Sequence, residues 1–338
     1  MDTIEFRPAA RVRPEQSNAV FGRARIASIV AAVLTLTFGA LTLGLSIAQA
    51  QEYPSKPVRF VVPYPPGGSG DLLGRLFAEH LAKALNAPVF VENKPGAATN
   101  IALELVSRAS PDGYTLMLGT GQTAINEVFG PKPTIDIQSG VTSIGLIAEM
   151  PFIILAGPET GIKTAQDMVA KSKMGQVTIG HAQFEPQINL LSAATGAKLD
   201  SIPYAGGAAS IMSAIGGQVA LVGSYVPVAT AQVKAGKLRG IGVASPKRIN
   251  ALPDVPTFAE QGFPKFTTSL SYSVLTPKGT PEAILKKLAA AVEAVATDPI
   301  YVERLRAQGS EPLSGSSDAA AALLREDLKK WEEVKKAN

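Results

Sequence analysis

The sequence predicts an α/β protein built on parallel strands with helices covering both faces of the sheet. Three observations carry this. Short β-branched apolar runs alternate along the chain with segments whose apolar residues recur at helical spacing, and such alternation implies parallel pairing. Glycine-rich loops stand at the strand-to-helix turns, at residues 67–70 and 119–121. A chain of 338 residues is long enough for two domains of ordinary size.

The first unit organises the rest. Residues 58–62, VRFVV, form a short buried-strand pattern. Pro63, Pro65 and Pro66 end the pairing, because each lacks an N–H to give to a ladder. Gly67, Gly68 and Gly70 follow, and Leu72, Leu73, Leu76, Phe77, Leu81 and Leu85 continue at helical spacing. Ser69 is read as the N-cap and Asp71 as a first-turn charge that suits the helix dipole. A strand, a glycine-rich loop and a helix start place free backbone N–H groups where an anion can approach. The competing reading is a tight turn and nothing more. A phosphate-binding P-loop is excluded, since Asp71-Leu72 stands where Lys-Ser or Lys-Thr is required. A dinucleotide fingerprint starting at Gly68 fails at Leu73.

Further elements follow in order: a strand at 89–92, a loop at 93–99, a helix at 101–108, a Pro-Asp-Gly turn and a strand at 115–118. That strand ends in Gly119-Thr120-Gly121-Gln122-Thr123, a second loop of glycine and small hydroxyls at the same sheet edge. Thr120 and Thr123 read either as ligand contacts or as caps of the following helix. Pro151-Phe152 opens a new strand, 153–156, and a fresh round begins: helix 165–173, strand 177–180, a helix through Leu190 and Leu191, strand 201–204, a helix after Gly206-Gly207, and strands 219–222 and 238–243. Thr280 then caps a helix with Pro281 at its first position, running to about 296, followed by a helix at 301–308 and a closing amphipathic helix at 318–336, whose Trp331 is a packing residue.

Composition excludes several classes. There is no cysteine, so neither disulfides nor thiol catalysis arise, and His80 and His181 are the only histidines. The net charge of +4 divides as +2 in residues 1–25 and +2 in the rest, with no basic run interleaved with aromatics, so nucleic acid is not an expected partner. No Ser-His-Asp, HExxH or GxSxG pattern appears. Residues 26–50 carry no charge, follow Arg23 and Arg25, and end in Ala48-Gln49-Ala50, the small-x-small form of a cleavage site. Cleavage after Ala50 and export is the expectation; a retained transmembrane anchor is the alternative.

Four motifs fall in a telling order: PYPPGGSGD, ENKPGA at 92–97, PDGYTL at 111–116 and LPDVPTFAEQG at 252–262. Together they resemble the substrate-binding proteins of tripartite tricarboxylate transporters, the Bug receptor family, over nearly all of the chain after about residue 52. The resemblance implies a two-lobed periplasmic binding protein fold, type II-like, each lobe a mainly parallel sheet flanked by helices, with a ligand cleft between the lobes. It places residues 51–151 and 273–338 in lobe 1 and 152–272 in lobe 2, with crossings near 150–152 and 269–273. The site it implies comprises Pro66, Gly67, Gly68, Ser69, Asp71, Thr120, Gly121, Thr123, His181, Gln183, Tyr204 and Gly206. Tyr204 and Gly206 stand where a family Tyr precedes its Gly-Gly; a core tyrosine is the plainer reading of Tyr204. The loop at 180–187 departs from the family's serine- and glycine-rich stretch, and Ala98-Thr99 replaces a common Gly-Gly pair. His181 and Gln183 are therefore expected to supply side-chain donors in place of lost backbone ones, against the plainer reading of His181 as a structural strand-end residue.

The function so implied is a periplasmic receptor that captures a small carboxylate and delivers it to a pair of membrane permease subunits. It is expected to act as a monomer, without a cofactor and without catalysis. A sensor that docks on a receptor kinase is the alternative, and an enzyme of the cleft is a third reading.

Overall fold

The computed structural model describes residues 53–337 apart from 133, 134 and 136. The proposed leader, 1–50, lies outside these residues. Residues 53–337 contain ten strands: β1 (Val58–Val62), β2 (Val89–Asn93), β3 (Thr115–Thr120), β4 (Val141–Ala156), β5 (Val177–His181), β6 (Leu199–Pro203), β7 (Leu221–Tyr225), β8 (Arg239–Val243), β9 (Ser269–Pro277) and β10 (Glu311–Ser316). The principal helices are α1 (Ser69–Leu85), α2 (Asn100–Ser107), α3 (Gln122–Phe129), α4 (Ala165–Met174), α5 (Glu185–Thr195), α6 (Gly207–Ile215), α7 (Val226–Lys234), α8 (Glu282–Thr297), α9 (Pro299–Ala307) and α10 (Ser317–Ala337).

The strands join in the order β2-β1-β3-β9-β4-β7-β5-β6, with β8 and β10 also paired to β4. β4 is the spine. Its first part, from Val141 to Pro151, pairs with β9, and Pro151 lies opposite Ser269. From Phe152 to Ala156 it pairs instead with β7, where Phe152 lies opposite Tyr225, and with β8. The partner changes at Pro151, the residue that has no N–H to give. The sheet is mixed, not mainly parallel as expected. β1–β2, β1–β3, β5–β6 and β5–β7 are parallel, whereas β3–β9, β4–β9, β4–β7, β4–β8 and β4–β10 are antiparallel. The reason is topological: β4 leads out of the first set of strands and β9 leads back beside it, and two such neighbours must run in opposite directions.

A continuous apolar core runs along this spine, from Phe60, Leu73 and Phe77 through Ile147 and Phe152 to Ile179 and Leu191. Burying side chains of this size stabilises by about 1.5–3 kcal/mol each. Trp331 on α10 is buried and meets Phe129 edge to face, 6.3 Å between centroids. Two assigned caps shift. Gly68, not Ser69, is the extended N-cap of α1, and Ser69 is its first helical residue. Pro281 is the N-cap of α8 and no side chain caps it; the Thr280 hydroxyl donates instead to the Pro277 carbonyl at 2.8 Å.

Candidate functional site

Five strands, β1, β3, β5, β6 and β7, each lead into a helix, so five helix N-termini lie beyond strand carboxyl ends, where α/β sheets place ligands. In the first group, Tyr64 follows β1 and its hydroxyl donates to Thr120 Oγ1 at the end of β3, 3.0 Å away. The Tyr64 ring lies against Gly70: a Cβ there would stand 2.2 Å from ring carbon Cδ2. Burial pushes the Tyr64 hydroxyl pKa up, while hydrogen bonds with Thr120 and Tyr272 act the other way.

Asp71 is buried and holds the loop from within. Its Oδ2 accepts from the Gly67 N–H at 2.9 Å and from Arg75 Nε at 3.0 Å, and its Oδ1 accepts from Asn93 Nδ2 at 2.8 Å. Burial raises its pKa, but the bonds from Arg75, Asn93 and Gly67 outweigh it and hold the carboxyl below its usual range. Gly67 takes φ +81°, a conformation that favours glycine, and its N–H is committed to Asp71. The amides of the first turn, Ser69 and Gly70, have no intrahelical acceptor; Ser69 is half-buried and Gly70 is buried under the Tyr64 ring. A Cβ on Gly68 would meet only the Pro65 carbonyl oxygen, at 3.5 Å, and Pro66 is exposed. At the second loop the Gly121 N–H is used by the Ser271 carbonyl at 2.9 Å, and Gly121 is the N-cap of α3. Thr120 Oγ1 also accepts from the Gln122 N–H at 3.3 Å, whereas Thr123 is buried within the helix.

The second group is built from side chains. His181 ends β5 and is 1% exposed. Its Nδ1 accepts from the Phe184 N–H at 2.8 Å, which fixes the proton of the neutral ring on Nε2. Nε2 lies 2.7 Å from Ser201 Oγ and 3.0 Å from Glu185 Oε2, and Ser201 donates to that carboxylate at 2.6 Å. In this arrangement neither ring nitrogen is offered to the cleft. Burial pushes the His181 pKa down, against Glu185, which raises it. Gln183 is exposed at φ +61°. Tyr204 is half-buried, packs over Gly180 and gives its N–H to the His181 carbonyl at 2.8 Å. Gly206 is the extended N-cap of α6, with open space around an added Cβ.

The two groups meet through residues that sequence reasoning missed. Tyr225, at the end of β7, is buried; burial, and then Tyr64 of the first group, push its hydroxyl pKa up. Tyr272 on β9 lies 6.3 Å from the Tyr64 ring, centroid to centroid. Gln187 Nε2 donates to the Tyr225 hydroxyl at 3.1 Å, while its buried Oε1 has no partner. Phe152, Phe184 and Tyr225 form an edge-to-face trio with centroids 5.0–5.6 Å apart. Tyr64 was visible inside PYPPGG, one residue beyond Pro63. Tyr225 was hidden because its strand was ended at 222.

Chemically, the arrangement offers free amides and hydroxyls on one side and an aromatic wall with one unsatisfied carbonyl oxygen on the other. It can hold a small polar ligand through hydrogen bonds.

Comparison with known proteins agrees with the geometry. The family model described as the tripartite tricarboxylate transporter family receptor matches residues 73–338. Protein BugT of Bordetella pertussis is 28% identical over 290 residues, covering 83% of this chain and 89% of BugT. A protein from the TAR-I ttuE-ttuC' intergenic region of Agrobacterium vitis is 33% identical over 325 residues, covering 94% of this chain and 90% of its own. Among solved structures, Rpa4515 of R. palustris with adipate superposes with a TM-score of 0.80 at 27% identity, covering 85% of this chain and 98% of its own. MatC from Rhodopseudomonas palustris with bound malate gives 0.75 at 29%, covering 83% and 99%.

Proposed function

Because this chain belongs to the tripartite tricarboxylate transporter receptor family, the Bug solute-binding receptors, we propose that it captures a small carboxylate between the ends of its two strand groups. Receptors of this family are periplasmic. One observation carries the choice of ligand: the first turn of α1 leaves the Ser69 and Gly70 amides without an intrahelical acceptor next to Tyr64, which bonds Thr120, and Asp71 holds the loop in this form. Helix-start amides favour an anion. The adipate and malate bound by two related receptors are of the same class.

In this reading residues 51–151 and 273–338 form one lobe and 152–272 the other, and β4 and β9 are the crossings at which they hinge. Gly68, Ser69, Thr120 and Gly206 line the cleft, with Tyr64, Gln187 and Tyr225 added. Asp71 and Gly121 position the loops, and His181 braces the second lobe. Closure over the ligand presents the monomer to membrane permease subunits. Export with cleavage after Ala50 belongs to the same reading. The experiment is a calorimetric comparison of adipate and malate with their amides. Loss of the carboxylate removes charge-assisted hydrogen bonds worth roughly 1.5–3 kcal/mol each, so the amides are expected to bind at least tenfold more weakly. Equal binding of acid and amide sinks the anion site.

A further inference from the structure

On the face of the β4–β9 pair that α10 covers lies a cavity of about 250 Å³, separate from the cleft contacts above apart from Thr120 and Gly121 at one end. Ser271, Ser273 and Leu275 of β9 line it at a spacing of two, so one face of the strand forms its floor. The roof is α10, whose Ala320, Ala321 and Leu324 recur at helical spacing. Small residues on both sides, Ser271 and Ser273 on the strand and Ala320 and Ala321 on the helix, leave the space between them unfilled. At ~30 Å³ per water-sized group the space fits about eight such groups.

The lining is not merely loose packing. Ser143 Oγ, on β4, lies in it buried and without a hydrogen-bond partner. Lys278 and Arg325 also reach the lining, and neither side chain has an ion-pair partner among the described residues. The one carboxylate there is Asp327, beside Gly121 and Ser271 at the cleft-facing end. Burial pushes its pKa up to about 6, against Lys330 and the Ser271 hydrogen bond, so it is mainly ionised at neutral pH. Lys278 lies beyond the other end of the floor, seven residues further along the chain than Ser271. The lining thus carries two cations, Lys278 and Arg325, to one carboxylate, beside an apolar-hydroxyl passage, a balance that favours an anionic ligand.

We propose that this cavity is a second ligand site, distinct from the cleft, that takes a linear monocarboxylate of about eight carbons. The carboxylate is held by Lys278 and Arg325, the stem lies between Leu275 and Ala321, and Ser143 meets a ligand oxygen. An amine of the same length is disfavoured by the two cations, and an alcohol lacks the charge that they recognise. The site does not depend on what fills the cleft.

The test is calorimetry of octanoate, octan-1-ol and octylamine on the exported protein. Octanoate is expected to saturate one site, with octan-1-ol and octylamine at least tenfold weaker, about 1.4 kcal/mol. The double variant Lys278→Gln/Arg325→Gln, at two exposed positions, should weaken octanoate at least tenfold. Ala321→Leu, which fills the passage from a half-buried helix position, should abolish its binding, with circular dichroism reporting on the fold. Saturating adipate should not displace octanoate. The proposal is overturned if octanoate shows no saturable binding, if it titrates the double variant like the wild type, or if adipate competes with it. Failure of adipate itself to bind would count against the cleft reading and leave these outcomes unaffected.

Discussion

The loops after β1 and β5 occupy equivalent places at the ends of two strand groups, yet they are built on opposite plans. In the first, from Tyr64 to Asp71, a buried carboxylate gathers the loop from behind and leaves the helix-start amides without an intrahelical acceptor. In the second, from His181 to Gln187, side chains close on one another: His181 binds the Phe184 amide, Ser201 and Glu185. A loop held from behind can spend its backbone donors on a ligand. A loop held by its own side chains has already spent them, and beside it stand an aromatic trio and one buried amide oxygen without a partner. In the proposed reading the first loop is the anion contact and the second sets shape, and substitutions can break that division.

The largest expected effect comes from glycines compared across the two strand groups. Gly70→Ala drives a Cβ to 2.2 Å from the Tyr64 ring, so Tyr64 must leave Thr120. Overpacking of this kind costs about 1–3 kcal/mol, and adipate affinity should fall about a hundredfold, ~2.7 kcal/mol. Gly206→Ala meets nothing within 4 Å and should change affinity less than about threefold, ~0.7 kcal/mol. Equal losses in a calorimetric titration would erase the contrast. Next is Asp71→Ala, which removes three hydrogen bonds to one buried carboxylate. Bonds to charged groups contribute about 1.5–3 kcal/mol, so a denaturant midpoint should fall by the equivalent of roughly 2–3 kcal/mol, and binding should weaken with it. A variant as stable as the parent would show that the loop does not need its anchor. Gly68→Val is gentler. Its Cβ meets only Pro65, so the fold should persist while affinity drops about tenfold, ~1.4 kcal/mol; an unchanged titration would take the α1 start out of the site.

Local chemistry made most of the strands legible, and what it missed shares a cause. β1 carries the same limits in sequence and structure, because a β-branched run between prolines has one reading. β4 was read only from 153 onward, since Pro151 looked like a boundary; in fact the ladder changes partner there and the strand continues. β9 and β10 were missed because serines alternate along both, and a strand polar on one face lacks a simple apolar run. α7 was missed because Pro227 lies in its first turn, where proline is tolerated. For the site, the glycine loops were legible and their hydrogen-bond accounting was not. Nothing in a sequence shows that Gly67 and Gly121 have given their N–H groups away, or that Phe152, Phe184 and Tyr225 gather into one aromatic trio.

The smallest effect, and the one that bears most directly on the second loop, concerns pH and His181. A ligand-holding histidine would be protonated by its anion, so affinity would be higher at acid pH and fall as pH rises. The geometry favours the reverse assignment: a neutral ring with Nδ1 accepting and Nε2 donating, its pKa pushed down by burial. A depressed folded-state pKa means that the unfolded chain binds more protons over the interval between the two pKa values. Stability from this residue is therefore complete above the unfolded value, about 6.5, and is lost as pH falls toward the folded one. One proton limits the slope to about 1.4 kcal/mol per pH unit. His181→Gln should lower stability at neutral pH by removing the brace, flatten the slope between about pH 5 and 7, and leave the pH profile of adipate affinity unchanged. Urea midpoints and calorimetric titrations across that range separate the two roles. If the substitution flattens the affinity profile and not the stability profile, His181 belongs to the ligand, and the second loop is an anion contact after all.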